Sequence, residues 1–167
     1  ENAFTALKIK HCPLNSKGRQ VGISSGQGFA AKVIADGAGG KSGEKRVPPI
    51  IFSLSNDQIA HYLRAYYEGD GGVENHEVTA NTKSKDLASD LAYVLLRFGI
   101  IARIHHKQKA ATNTKKQTKN TYYQITVSGK KQIQKFADNI GFLTETKNQK
   151  LASLIQKIGT SNTNVDT

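Results

Sequence analysis

The sequence predicts an α+β fold in two layers, with helices packed on the apolar side of a sheet whose other side stays polar. Two observations carry that prediction. Four segments after residue 55 repeat apolar residues every three or four positions, the period of a helix with one buried face. Between them lie segments that alternate apolar and polar residues, the period of a strand with one buried face.

Each element follows in order. Residues 3–12, AFTALKIKHC, partly alternate and predict a strand; PLNSKGR at 13–19 gathers turn formers; VGISS at 21–25 predicts a second strand. Residues 27–36 have Phe29, Val33 and Ile34 at helical spacing. Residues 37–46 carry four glycines within seven positions, too much backbone entropy for regular structure. The two prolines of VPPIIFS leave a loop or a single turn. Ser55-Asn56-Asp57 writes a helix start, with Ser55 as cap, and that helix runs to about Glu68. Residues 73–81 read as strand around a turn at Glu74-Asn75. Ser84 caps a helix from Lys85 to Phe98, buried along Leu87, Leu91, Val94, Leu95 and Phe98 and stopped by Gly99. Strands follow at 101–109 and 121–129, joined by the basic stretch AATNTKKQTKN. Helices at 130–140 and about 147–158 close the chain. A weak echo links 21–39 to 125–141, each reading strand, Ser/Gly turn, helix, glycine, and points to two related lobes.

Composition narrows the partner. The 167 residues include 24 Lys and Arg against 13 Asp and Glu, a net charge of +11. That excess points to a polyanion, nucleic acid above all, with a merely soluble basic protein as the bland alternative. No apolar run approaches the ~18 residues of a membrane span. The lone Cys12 cannot form an internal disulfide and no secretory leader opens the chain. An intracellular location (cytoplasm, nucleus or organelle, not secreted) is therefore expected. No Cys/His set has zinc spacing. The absence of any Met, even at position 1, is expected of a piece of something longer.

One stretch carries chemistry. HYLRAYYEGDGGVE, residues 61–74, begins as an apolar-faced helix and ends in two acids among three glycines. The run Leu63-Arg64-Ala65-Tyr66-Tyr67-Glu68-Gly69-Asp70-Gly71 resembles the signature helix of the LAGLIDADG homing endonucleases. Leu63, Ala65, Glu68, Gly69, Asp70 and Gly71 match it position by position; Arg64, Tyr66 and Tyr67 depart where the family varies. Lys45-Arg46-Val47-Pro48 resembles the Lys-x-Ile-Pro element of the intein-borne members, and IGFLTETKNQKL at 140–151 is similar to their closing block. The resemblance spans nearly the whole chain.

The resemblance implies an αββαββα lobe with an antiparallel, saddle-shaped sheet over 55–167, preceded by a partial first lobe over 1–54. Two signature helices would pack side by side, with Ala65 and Gly69 small enough for close approach. Asp70 would sit at the helix end as catalytic metal ligand, holding Mg²⁺ (or Mn²⁺) with the Gly69 carbonyl against a scissile phosphate. Lys45 would be the catalytic lysine beside it. Glu68 would cap a neighbouring helix, and Lys147 and Lys150 would play the part of Lys45 for the other lobe. The implied partner is double-stranded DNA.

The alternating strands say which residues would meet DNA. Arg103, His105 and Lys107 share one strand face; Tyr122, Gln124 and Thr126 share another; Glu77, Thr79 and Asn81 form a third polar row. Amide and guanidinium groups in such rows suit base edges. Lys109, Lys115, Lys116 and Lys119 suit phosphates. Adjacent strand residues point oppositely, so His105-His106 is discounted as a chelate. Only one signature helix is present; a second chain or a segment before Glu1 would supply the other. No splicing ends are visible. An RNA-splicing maturase or other LAGLIDADG-derived binding protein without cleavage stays open, as does a plain basic RNA-binding protein.

Overall fold

The computed structural model describes residues 11–16, 19–25, 40–110 and 119–160. Strands β1 (His11–Ser16) and β2 (Arg19–Ser25) pair antiparallel as a two-stranded sheet. The expected turn at 13–19 is thus mostly strand. Pro13 sits opposite Ile23, tolerable because both strands of such a sheet are edges and a missing N–H leaves no ladder broken on the outer side. The helix expected at 27–36, and with it the echo between the two segments, lies outside the described residues.

From residue 49 the order is a 3₁₀ turn (Pro49–Ser53), α1 (Asn56–Asp70), β3 (Gly71–Glu74), β4 (Glu77–Thr82), α2 (Lys85–Leu96), β5 (Arg103–Ala110), β6 (Lys119–Ser128), α3 (Lys130–Asn139) and α4 (Glu145–Thr160). All four strands β3 to β6 pair antiparallel, in the order β3-β4-β6-β5. This is the expected α+β lobe: αββαββα with one further helix.

Local chemistry sets the boundaries. Ser55 and Gln58 form a capping box: the Gln58 N–H donates to Ser55 Oγ at 3.4 Å and the Ser55 N–H to Gln58 Oε1 at 3.2 Å. Ser84 Oγ accepts from the Leu87 N–H at 3.1 Å and so starts α2. The β3–β4 turn sits at Asn75-His76, one residue later than expected, with Asn75 at φ +34°; asparagine tolerates that region better than most side chains. Gly99 and Gly141, at φ +63°, follow α2 and α3.

Cross-strand register fixes the two faces of the sheet. Val78, Ala80, Ile125 and Val127 face the helices and are fully buried. Onto them pack Ile59, Leu63 and Tyr67 of α1, Leu87, Leu91, Val94 and Leu95 of α2, Ile133 and Phe136 of α3, and Leu151, Leu154 and Ile158 of α4. Tyr67 stands edge-on to Phe136, centroids 4.9 Å apart, and Phe142 follows at 5.6 Å from Phe136. Val47 and Ile51, from the segment before α1, join the same core.

Candidate metal and nucleic-acid site

Helix α1 delivers its last residue to the rim of the sheet. Ile59, Ala60, Leu63 and Tyr67 point into the core, while His61, Ala65 and Gly69 lie exposed on another face. Nothing within 4 Å would meet a Cβ at Gly69. The small residues of this face therefore satisfy no packing demand from the described residues. Gly71 is different: it opens β3 with no intervening loop, and an added Cβ would lie 2.7 Å from Tyr67 Cδ1 and 2.9 Å from the carbonyl oxygens of Thr79 and Tyr67.

Two residues lock the C-terminal end of α1. Lys147 Nζ donates to the carbonyls of Tyr67 (3.4 Å), Glu68 and Gly71 (3.0 Å), and lies 3.6 Å from Glu68 Oε1. An ammonium there meets the negative end of the helix dipole. This corrects the expectation for Lys147: its donors are spent on backbone at the helix end, which leaves no free ammonium for a second lobe's chemistry. Lys150 lines a separate groove between α4 and the β3–β4 turn, with Val73, Asn75, Thr146 and Ser153.

Glu68 accepts from the N–H groups of Leu143 (2.9 Å) and Thr144 (3.2 Å) and from Thr144 Oγ1 (3.0 Å), just ahead of α4. The sequence expectation of a capping role holds. Desolvation by itself would raise the Glu68 carboxyl; the Thr144 and Leu143 hydrogen bonds and the Lys147 charge outweigh it and hold the group below its ordinary value. Arg64, a departure from the motif, donates from Nε to the Ile140 carbonyl and so closes the end of α3.

Asp70 is exposed and, among the described residues, its carboxylate has no hydrogen bond or ion pair. It lines a cleft of about 270 Å³ together with Ser42, Lys45, Tyr66, Asn81, Thr82, Lys83, Leu87 and Tyr122. The hairpin explains this grouping. Gly71 pairs with Ala80, so β4 returns to the end of α1 and sets Asn81, Thr82 and Lys83 beside Asp70. Burial pushes the Tyr66 phenol up, and the nearby Asp70 charge adds to the shift; one turn earlier burial, aided by Asp90, pushes Tyr62 up to about 12.

Lys45 lines the same cleft as Asp70. Lys83 joins them there and is a residue that the sequence reasoning misses. Its Nζ is 5.4 Å from the Tyr122 ring centroid. A signal exists, because Lys83 falls between the end of an expected strand and the Ser84 cap. The oxygen donors that line the cleft, the Asp70 carboxylate and the Asn81 amide among them, are of the kind a hard divalent cation takes, with no thiolate or imidazole beside them; Gly69 is not among the lining residues. The carbonyl of Gly69 is not among the three that Lys147 covers. Oδ1 of Asn81 is buried without a hydrogen-bond partner. No group of three or more His, Cys, Asp or Glu occurs among the described residues, and Asp70 is the one carboxylate among the residues that line this cleft.

The polar rows meet on one face of the sheet. Register sets Thr79 opposite Thr126 and Gly72, Asn81 opposite Gln124, Arg103 opposite Thr126, His105 opposite Gln124, Lys107 opposite Tyr122, and Lys109 opposite Asn120. Directly paired residues point the same way. Glu77, Asn81, Arg103, His105, Lys107 and Tyr122 are at least partly exposed there. Thr79, Gln124 and Thr126 are not: they are 1%, 4% and 1% exposed. Their expected direct contact with DNA is corrected accordingly, since almost nothing of these side chains reaches the surface. Gln124 Nε2 donates to Glu74 Oε2 at 3.4 Å. Lys119 lies in β6, and Lys115 and Lys116 fall outside the described residues. No helix among the described residues is long and apolar enough to cross a membrane.

Comparison with known proteins places the chain in a family. The family profile described as LAGLIDADG-like domain matches residues 57–141, half of the chain. The replication factor C small subunit of Methanocaldococcus jannaschii is 40% identical over 121 residues, 72% of this chain and 6% of that protein. The glutamine–fructose-6-phosphate aminotransferase of the same organism is 32% identical over 71% of this chain and 10% of its own length. The replicative DNA helicase DnaB of Rhodothermus marinus is 30% identical over 75% of this chain and 14% of its own length. The chain therefore spans a small part of each relative, and with α1, the four-stranded sheet and the matched profile it belongs to the LAGLIDADG-like domain family.

Proposed function

We propose that this chain is one lobe of an intein-borne homing endonuclease that cuts both strands of a DNA target. The observation that carries the reading is the cleft that Asp70, free of any partner among the described residues, lines together with Lys45 and Lys83. The relatives support the setting: similar segments make up a small share of proteins named for unrelated tasks, as expected of an insert that moves between hosts.

Asp70 and the Gly69 carbonyl would hold Mg²⁺ or Mn²⁺, with scissile phosphate and water completing the shell. Bound there, the ion would lower the pKa of its water and neutralise charge on the phosphate. Lys45 then offsets the charge that develops on the phosphate oxygens, and Lys83 holds the adjoining phosphate. Arg103, His105, Lys107, Tyr122, Asn81 and Glu77 face the major groove, and Lys109, Lys115, Lys116 and Lys119 track the backbone. One lobe brings one carboxylate, whereas each strand needs its own. The exposed row His61, Ala65, Gly69 supports pairing of α1 with a second signature helix, from another chain or from sequence upstream.

The test is incubation of the chain with a randomised duplex library and Mg²⁺. Double-strand cutting at a selected site, lost to background in Asp70→Asn with the fold intact, is the expected result. Undiminished cutting by Asp70→Asn would remove the proposal. Tight binding of structured RNA with no DNA cut would favour a splicing maturase instead.

A further inference from the structure

We infer that Ser84 and Asp90, which cap and lie within α2, are positioning residues that aim Lys45 at the Asp70 cleft. The inference rests on the reading of Lys45 given above. Residues 40–48 have no regular structure and 40–46 are exposed, so the chain around Lys45 has no ladder to fix it. Hydrogen bonds to α2 take the ladder's place. Ser84 Oγ donates to the Lys45 carbonyl at 2.6 Å. Arg46 forks onto Asp90, Nε to Oδ2 at 3.1 Å and a terminal nitrogen to Oδ1 at 3.0 Å. The Val47 N–H donates to Asp90 Oδ2 at 3.2 Å, and the Val47 side chain enters the core.

The backbone is therefore held from Lys45 to Val47, and Lys45 lines the cleft with Asp70 while its ammonium has no partner among the described residues. Ser84 does this with a hydroxyl that also accepts from the Leu87 N–H; one donor and two lone pairs allow both. The Arg46 side chain is 58% exposed, so its fork adds little to stability. What the fork supplies is geometry, since a bidentate pair fixes direction as well as distance.

The test compares Ser84→Asp, Ser84→Thr and Asp90→Asn in the full chain, each alone and combined with Lys45→Ala. The substrate is a duplex recovered by Mg²⁺-dependent cutting of a randomised library. Ser84→Asp keeps an acceptor for the Leu87 N–H, and so the helix cap, but has no hydroxyl for the Lys45 carbonyl. Single-turnover cleavage by Ser84→Asp and Asp90→Asn should fall roughly 10- to 100-fold, the scale of a misplaced catalytic group. KM should stay put, Ser84→Thr should keep the rate, any drop in the unfolding midpoint should be the same with and without Lys45→Ala, and the losses of rate should vanish in the Lys45→Ala background. An equal loss in that background, or one that tracks a lower midpoint, overturns the positioning role and leaves Lys45 standing. Full activity of Lys45→Ala overturns the role of Lys45 and the positioning with it. No cutting by the unaltered chain removes the reading on which both rest.

Discussion

Two glycines two residues apart should respond to alanine with opposite signs. At Gly71 the backbone is extended, φ −119° and ψ 175°, so alanine meets no conformational strain and the whole effect is steric. The new methyl would lie 2.7 Å from Tyr67 Cδ1 and 2.9 Å from two carbonyl oxygens. Tyr67 has no room to retreat, being fully buried against Phe136. The Thr79 carbonyl belongs to β4, paired on both sides by β3 and β6. Overpacking of this kind costs about 1–3 kcal/mol, of which the stiffer unfolded chain returns roughly 0.4–1 kcal/mol. Backbone oxygens yield less readily than a side chain, so the upper part of the range applies, and Gly71→Ala should lose about 2 kcal/mol. Gly69, in the last turn of α1 with open space around its Cα, should gain roughly 0.5–1 kcal/mol on becoming alanine. Urea unfolding followed by far-ultraviolet circular dichroism measures both, with unchanged m required for the comparison. A Gly71→Ala midpoint at or above that of the unaltered chain would refute the close-approach argument.

Two further outcomes follow from the same geometry. Because Glu68 is held below its ordinary value of 4.5 in the fold, its contribution is present above that pH and disappears as pH falls through the lowered value; Glu68→Gln should flatten the acid side of a stability-against-pH curve read by urea midpoints. Among the lysines assigned to phosphates, Lys109→Ala or Lys119→Ala should each reduce the magnitude of the log–log salt slope of DNA binding by about 1 for every phosphate left unneutralised, whereas Gln124→Ala, at a buried position, should leave that slope unchanged in fluorescence-anisotropy titrations.

Much of this lobe is legible because its signals are local. Ser55 with Gln58 and Ser84 with Leu87 announce helix starts within four residues, and the alternation of 121–128 gives both faces of β6. The exposed polar rows follow from parity alone, but parity does not report depth. Thr79, Gln124 and Thr126 have the right phase and are still buried, because they lie on the two central strands of the sheet, β4 and β6. Pro13 misleads for a related reason, since proline is a turn former in sequence and an admissible residue on an edge strand. The role of Lys147 is hidden because its partners are 76 to 80 residues away; nothing in its own neighbourhood shows that α4 folds back on the end of α1. Lys83 needs the hairpin register, a non-local fact that is visible only once β4 is seen to return to Asp70.

The junction at residues 70 and 71 has a mechanical consequence. A helix and a sheet strand share a corner there with no slack between them, and the clasp of Lys147 on three carbonyls stiffens it further. Any partner that rolls α1 by an ångström must carry the acid at its tip along and tilt the first strand of the sheet in the same movement. Assembly with a second helix and the grip on a duplex would then be a single rigid-body event, sensed at the point where the chemistry is expected.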